Sequence, residues 1–155
     1  LYDYPTNIFV AGFIGTPQMN FIDCTLKKNG SDLYAVFGKN EIKLPAEKAS
    51  DPALADYIGK EVIAGIRPEC LKDEPLAIST MTDSVIDAHV DVTELMGSEI
   101  YLYISTDGID PHTPQTLVAR VSPRSQARTG DDIKIALEAS KIHIFDKDTE
   151  KCIAH

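Results

Sequence analysis

The residues of this chain that could do chemistry are four histidines, two glycine-lysine pairs, a scatter of aspartates and three cysteines. His89, His112, His143 and His155 could gather around a metal, but no HxxxH or HxH spacing sets two of them side by side. Solvated or core-edge positions account for them better. Asp107, Asp110, Asp146 and Asp148 invite calcium, yet they miss the loop of about 12 residues and its terminal glutamate, and are read as turn acids. A phosphate-cradling loop needs GxxxxGK[ST]. Gly38-Lys39 is followed by Asn40 and Gly59-Lys60 by Glu61, and neither has the earlier glycine. Gly12 and Gly15 lack the third glycine and the βαβ context of a dinucleotide site. Ser79, Ser98 and Ser122 sit in no nucleophile elbow. Cys24, Cys70 and Cys152 form no CxxC pair, which reads as buried thiols in a reducing compartment.

One charged pair stands apart. In Ile66-Arg67-Pro68-Glu69, the proline restrains Arg67, which could then reach a carboxylate across a boundary between structural lobes or meet an external effector. The plainer alternative is an ion pair that holds the turn. The overall balance of charge bears on partners: with a net charge of -9 over 155 residues, a nucleic-acid surface is disfavoured. Arg120, Arg124 and Arg128 are too few to reverse that field. No apolar run approaches the roughly 20 residues that cross a bilayer. The sequence begins at Leu1 without a methionine and is expected to be a processed product or a cut-out domain.

The elements that must position these residues are mostly strands. Ile86, Ala88, Val90 and Val92 alternate with polar residues, a bend follows at Glu94 to Ser98, and Ile100, Leu102 and Ile104 resume the alternation. This predicts an antiparallel hairpin at the centre of the fold. Phe21 to Leu26, Leu33 to Phe37 and Glu41 to Leu44 form a meander with glycine-containing turns. Val62 to Ile66, Leu117 to Val121, Asp132 to Glu138 and Ile142 to Phe145 complete eight to ten short strands. Asp73 to Asp83 reads as a polar connection. Val90, Val92, Ile100, Leu102, Ile133, Ile135 and Leu137 are expected to line one core. A short apolar helix is expected from Ile8 to Ile14. The pattern is all-β, with a break near Gly59.

Four segments carry a family resemblance: LYDYPTNIFVAGFIGTPQMNF, IAGIRPECL, VDVTELMGSEIYLYI and GDDIKIALEASKIHIFD. Together, in this order, they resemble the C-terminal regulatory region of the MalK-like ATP-binding subunits of bacterial carbohydrate ABC importers, across nearly all of the chain. Two departures are Cys70, where relatives usually have histidine, and a loop from Thr106 to Gln115 that is rich in Pro and Asp.

The resemblance implies OB-like (TOBE) lobes of short antiparallel strands. Residues 1–20 would be a linker helix continuing from a missing nucleotide-binding domain, and 21–155 a regulatory domain of two intertwined β lobes. It implies no catalysis and no cofactor in this stretch, with Mg-ATP bound by the complete subunit. Implied partners are a second copy, the nucleotide-binding domain and transmembrane permease subunits, at the cytoplasmic face of the cell membrane, without nucleic acid. Arg67 and Glu69 are the candidate regulatory or lobe-boundary contacts. For the paired copies the candidates are Tyr101 and Tyr103, on the outward phase of a strand, and Phe145, near Ile142 and Ile144. The alternative reading is an OB-like module that binds a small ligand.

Overall fold

A computed structural model describes residues 6–8 and 17–155. All of the expected helix from Ile8 to Ile14 except Ile8 itself, and most of the 1–20 linker, lie outside the described residues.

The first three strands form the predicted meander: β1 (Asn20–Asn29), β2 (Asp32–Phe37) and β3 (Asn40–Lys43). Each turn has two residues, and each begins with a glycine at positive φ, Gly30 at 65° and Gly38 at 62°. That conformation suits glycine and matches the twist of tight hairpins. A short helix α1 (Ala46–Ala49) and a 3-10 segment (Pro52–Tyr57) lead to β4 (Glu61–Ile66), which pairs with β1. Pro45 and Pro52 each open one of these helical pieces, because proline fixes φ and its missing N–H costs nothing in a first turn.

The chain then crosses to a second sheet through Arg67 and the 3-10 turn Pro68–Cys70, entering β5 (Leu71–Lys72). The polar connection expected at 73–83 contains a helix, α2 (Pro75–Thr80), and a 3-10 turn, Thr82–Ser84. The hairpin β6 (Val85–Leu95) and β7 (Ile100–Thr106) follows, then β8 (Gln115–Val121) and β9 (Asp132–Leu137). Finally the chain returns to the first sheet as β10 (His143–Asp146) and β11 (Cys152–Ala154). The spatial orders are β11-β10-β4-β1-β2-β3 and β5-β9-β6-β7-β8, antiparallel throughout. The all-β reading holds.

Both sheets turn their alternate residues into one apolar cluster. Ile22, Cys24 and Leu26 of β1 and Leu33, Ala35 and Phe37 of β2 meet Ile86, Ala88 and Val90 of β6 and Leu117, Ala119 and Val121 of β8. Where the sheets meet without a backbone ladder, side chains supply the hydrogen bonds. Asn20 donates from Nδ2 to the Val118 carbonyl and accepts from the Val118 N–H, both at 2.8 Å. Asn40 does the same work at the other end: its Nδ2 donates to Thr106 Oγ1 at 2.9 Å, its Oδ1 accepts from the Asp87 N–H at 3.2 Å, and Thr106 Oγ1 donates to the Asp87 carbonyl at 2.6 Å. Both asparagines are buried, so these bonds offset the loss of water.

One core assignment is corrected. Val90 is fully buried, but Val92 is 52% exposed. Val90 stands opposite Ile104 and Val92 opposite Tyr103, so Asp91 is an extra residue, a β-bulge that moves everything beyond it to the other face. Thr93, opposite Leu102, takes the inward phase instead. Ile100 and Ile133 are only half-buried and pack at the margin of the core. The expected outcome of substitution is therefore split. Val90→Asp should cost several kcal/mol by placing an unpaired carboxylate in the core, about the stability of a small domain. Val92→Asp should stay within about 0.5 kcal/mol of the parent, as surface changes do. Equal losses in urea melts of the two variants would contradict the bulge.

Candidate functional site

The outward phase of the second sheet is polar, and the ladder between β6 and β9 decides which polar groups meet. Asp87 stands opposite Lys134, and His89 opposite Asp132. Lys134 Nζ lies 2.7 Å from Asp87 Oδ1, and His89 Nδ1 lies 2.7 Å from Asp132 Oδ1. Opposite charges facing each other across strands stabilise the pairing modestly when exposed, as these are. On β7, Ser105 Oγ donates to Asp91 Oδ1 at 3.3 Å. Asp87, His89, Ser105, Asp132 and Lys134, with Lys39, Asn40, Asp107 and Pro114, line an open cleft of about 600 Å³.

A second cleft of about 760 Å³ adjoins the first, and Ile133 and Lys134 border both. Its lining includes the apolar Pro75, Ile78, Ala127 and Ile133 and the polar Glu74, Arg124 and Gln126. Its loop wall is held by its own short-range bonds. Ser122 Oγ accepts from the Arg124 N–H and Asp131 Oδ2 from the Arg128 N–H, while Ser125 Oγ donates to Asp73 and ties the loop to the segment before α2. Sequence reading missed this groove. Its residues come from three stretches far apart in sequence, 73–78, 122–127 and 131–134, and only the fold brings them together.

The residues expected to matter fall elsewhere. Arg67 is buried at the passage between the sheets, and Glu69 is half-exposed there, 3.9 Å from Arg120. Arg120 also lies 3.2 Å from Glu99, so the turn after β4 is tied by charge to β8 and the β6–β7 turn. Tyr103 is half-buried, with its hydroxyl donating to Glu94 Oε1 at 2.9 Å. Tyr101 occupies the same outward phase but is only 8% exposed.

Phe145 needs correction. It is fully buried and presents no surface to a second copy. The strand β10 lies between β4 and β11 and is covered on both faces: Ile144 enters the shared core, while Phe145 joins Met19, Phe21, Ile63 and Cys152 on the other side. Its ring meets that of Phe21 edge-on, with centroids 6.1 Å apart. A strand buried on both faces reads as a continuous apolar run, and so looks like surplus surface in the sequence.

Two of the four histidines do come together. His143 and His155 approach to 3.3 Å between Nδ1 atoms, with Cys152 Sγ 3.5 Å from His155. Burial and the nearby Lys48 hold the His155 imidazole below its usual pKa, and burial pushes the Cys152 thiol up to about 11, which makes it inert. Among the described residues no group of three or more His, Cys, Asp or Glu is arranged to hold a metal ion. The aspartates at 110 and 146 serve turns: Asp110 Oδ1 accepts from the His112 N–H, and Asp146 Oδ1 from the N–H groups of Asp148 and Thr149. Asp146 also accepts from the Tyr57 hydroxyl at 2.6 Å, and these bonds hold its carboxyl down at about 2.

Residues 15–71 match the MalK OB fold domain. That stretch of the chain is a MalK OB fold domain. The chain as a whole is 38% identical to the oligosaccharides import ATP-binding protein MsmX of Bacillus subtilis, over 97% of this chain and 38% of that protein. With the trehalose/maltose import ATP-binding protein MalK of Thermococcus litoralis it shares 36% identity, over 99% of this chain and 39% of that protein. The multiple sugar-binding transport ATP-binding protein MsmK of Streptococcus mutans is 35% identical, over 99% and 38%. The chain spans about two fifths of the length of these relatives. Among solved structures, the cytoplasmic molybdate-binding protein ModG superposes with a TM-score of 0.58 at 14% identity, covering 81% of this chain and 94% of that one. This likeness is one of fold.

The His89–Asp132 pair on the second sheet makes a pH prediction. Hydrogen bonding to Asp132 raises the imidazole above its ordinary 6.5. A histidine raised in the folded state adds stability that is complete below 6.5 and fades as pH climbs through the raised value. Asp132→Asn should bring the His89 pKa back toward 6.5, read by NMR titration of the imidazole protons. An unchanged pKa would show that the pair does not form in solution.

Proposed function

We propose that this chain is the non-catalytic C-terminal part of the ATP-binding subunit of a carbohydrate importer, where it regulates and pairs the subunits at the inner face of the membrane. The observation that carries the reading is coverage: nearly the whole chain aligns to about two fifths of proteins named as ATP-binding components of sugar import. The remaining length of such a subunit is where nucleotide would bind and where the permease would be met. Among the described residues, no helix is long and apolar enough to cross a membrane.

The local structure around the glycine-lysine pairs supports the absence of nucleotide chemistry. Gly38-Lys39 is the two-residue turn between β2 and β3, and Gly59-Lys60 runs directly into β4. A phosphate loop needs a helix N-terminus after the lysine, and here a strand follows each time. Isothermal calorimetry of the chain with Mg-ATP should show no saturable heat. Saturable binding would overturn the non-catalytic reading.

For pairing, the β6–β7 hairpin supplies what Phe145 does not. Beyond the bulge the strand exposes Val92, opposite Tyr103, and at its end Leu95 at 73%, opposite Ile100 on the other phase, with Met96 at 46% in the turn. A two-fold pair requires a patch that complements its own copy, and exposed apolar side chains at a hairpin end suit that use. The net charge of -9 on each copy opposes association at low salt. Sedimentation equilibrium should show a dimer that tightens with moderate salt and that Leu95→Asp weakens. A strict monomer at high micromolar concentration in either salt would refute autonomous pairing. A dimer indifferent to Leu95→Asp would refute this placement.

A further inference from the structure

The ion pairs around Arg120 reach the end of the central hairpin from outside it. Beyond Val90, whose N–H donates to the Asp131 carbonyl, β7 is the one strand that pairs with β6 among the described residues. The stretch from Val92 to Glu99 thus projects past β9 with a single strand neighbour, and two strands alone hold their shape poorly in water. The Met96 N–H donates to the Glu99 carbonyl at 2.8 Å, which closes the turn and ties the exposed Leu95 and Met96 to the place where Glu99 is held. Glu99 is held by Arg120 of β8, which stands opposite Tyr101. Arg120 Nε lies 3.2 Å from Glu99 Oε2, and its Nη2 lies 3.9 Å from Oε2 of Glu69, in the 3-10 turn where the chain crosses between the sheets. One rigid guanidinium therefore grips carboxylates from two elements, a geometry that the single ammonium of a lysine does not reproduce.

We propose that Arg120 is the positioning residue of the surface through which two copies pair. By fixing Glu99 it sets the angle at which Leu95 and Met96 are presented, and through Glu69 it ties that angle to the crossover between the sheets. This role rests on the hairpin end being the pairing surface. Arg120 adds little to folding, because the three side chains are only partly covered and water screens them. Its effect falls on the free hairpin, which without the fork would have to be ordered at the moment of pairing, at a cost in affinity. A shift of the crossover that drew Glu69 away would loosen the tip in the same manner. The segment from Ile66 to Glu69 so gains a physical route to the pairing surface.

The experiment is sedimentation equilibrium of the chain at moderate salt, where the net charge of -9 is screened, on the parent, Arg120→Ala, Arg120→Lys, Glu69→Gln and the combined Arg120→Ala and Glu69→Gln variant. Arg120→Ala should weaken the dimer about fivefold and Glu69→Gln about twofold, within what partly exposed charge networks supply. The combined variant should be no weaker than Arg120→Ala alone, because Glu69 acts through Arg120. Arg120→Lys should fall short of the parent. Exchange of the Met96 amide, followed by NMR, should quicken in Arg120→Ala and Glu69→Gln, while coincident urea melts show that the variants fold. A dimer that Arg120→Ala leaves as tight as the parent, a Met96 exchange rate that it leaves unchanged, losses that add in the combined variant, or an Arg120→Lys dimer equal to the parent would overturn the assignment with pairing intact. A parent that stays monomeric, or a dimer indifferent to Leu95→Asp, would remove the pairing surface itself and the role of Arg120 with it.

Discussion

Two sheets that share an apolar interior must be joined where their backbone ladders end, and in this protein two asparagine side chains make the join. A carboxamide has the donor and acceptor of a peptide group, so Asn20 can stand in for a missing strand beside Val118. Asn40 closes a ring with Thr106 and the backbone of Asp87, between the first meander and the central hairpin. Each occupies the opening position of its strand, on the phase that faces the core. Any apolar residue there would bury as well but would strand the facing N–H groups away from water. The relative placement of the sheets, and with it the groove on the second one, depends on these contacts.

Much of the fold was legible because most strands obey a strict two-residue alternation. Cys24 and Leu26, Leu33 and Phe37, Leu117 and Val121 are buried as their phase requires. Legibility failed where the backbone broke the period. The bulge at Asp91 leaves no mark in composition, since an inserted aspartate on an outward phase looks like any other. Phe145 failed for another reason: alternation assumes one wet face, and β10 has none. The helix α2 was hidden by its shortness, six residues opened by a proline, too few for a helical period to show.

The site was less legible than the fold, and the cause is the same physics seen from the other side. Outward-facing polar residues are selected one at a time, without the periodic signature that burial imposes. Asp87 and Lys134 are neighbours only because β9 pairs with β6 in one register. Arg124 and Glu74 line one cleft because of a loop whose course is fixed by serine and aspartate bonds to backbone amides. The motif order that identified the family lies mainly in the scaffold, in turns and crossovers such as Ile66 to Glu69. It therefore speaks to ancestry and architecture more than to what the surface holds.

The return of the chain to its first sheet has a consequence for how the molecule is made. The strand β4 lies between β1 and β10, with Gly65 opposite His143, so one of its edges stays bare until β10, far later in the sequence, has been made. Until then Val62, Ile63 and Ala64 present unpaired amides beside apolar side chains, a template for the wrong chain. Pairings this distant in sequence also make folding slow, on the scale of milliseconds to seconds for sheets of this kind. A chain that has not yet made β10 carries a sticky seam, so the closing of β10 onto β4 doubles as the step that seals the first sheet against aggregation.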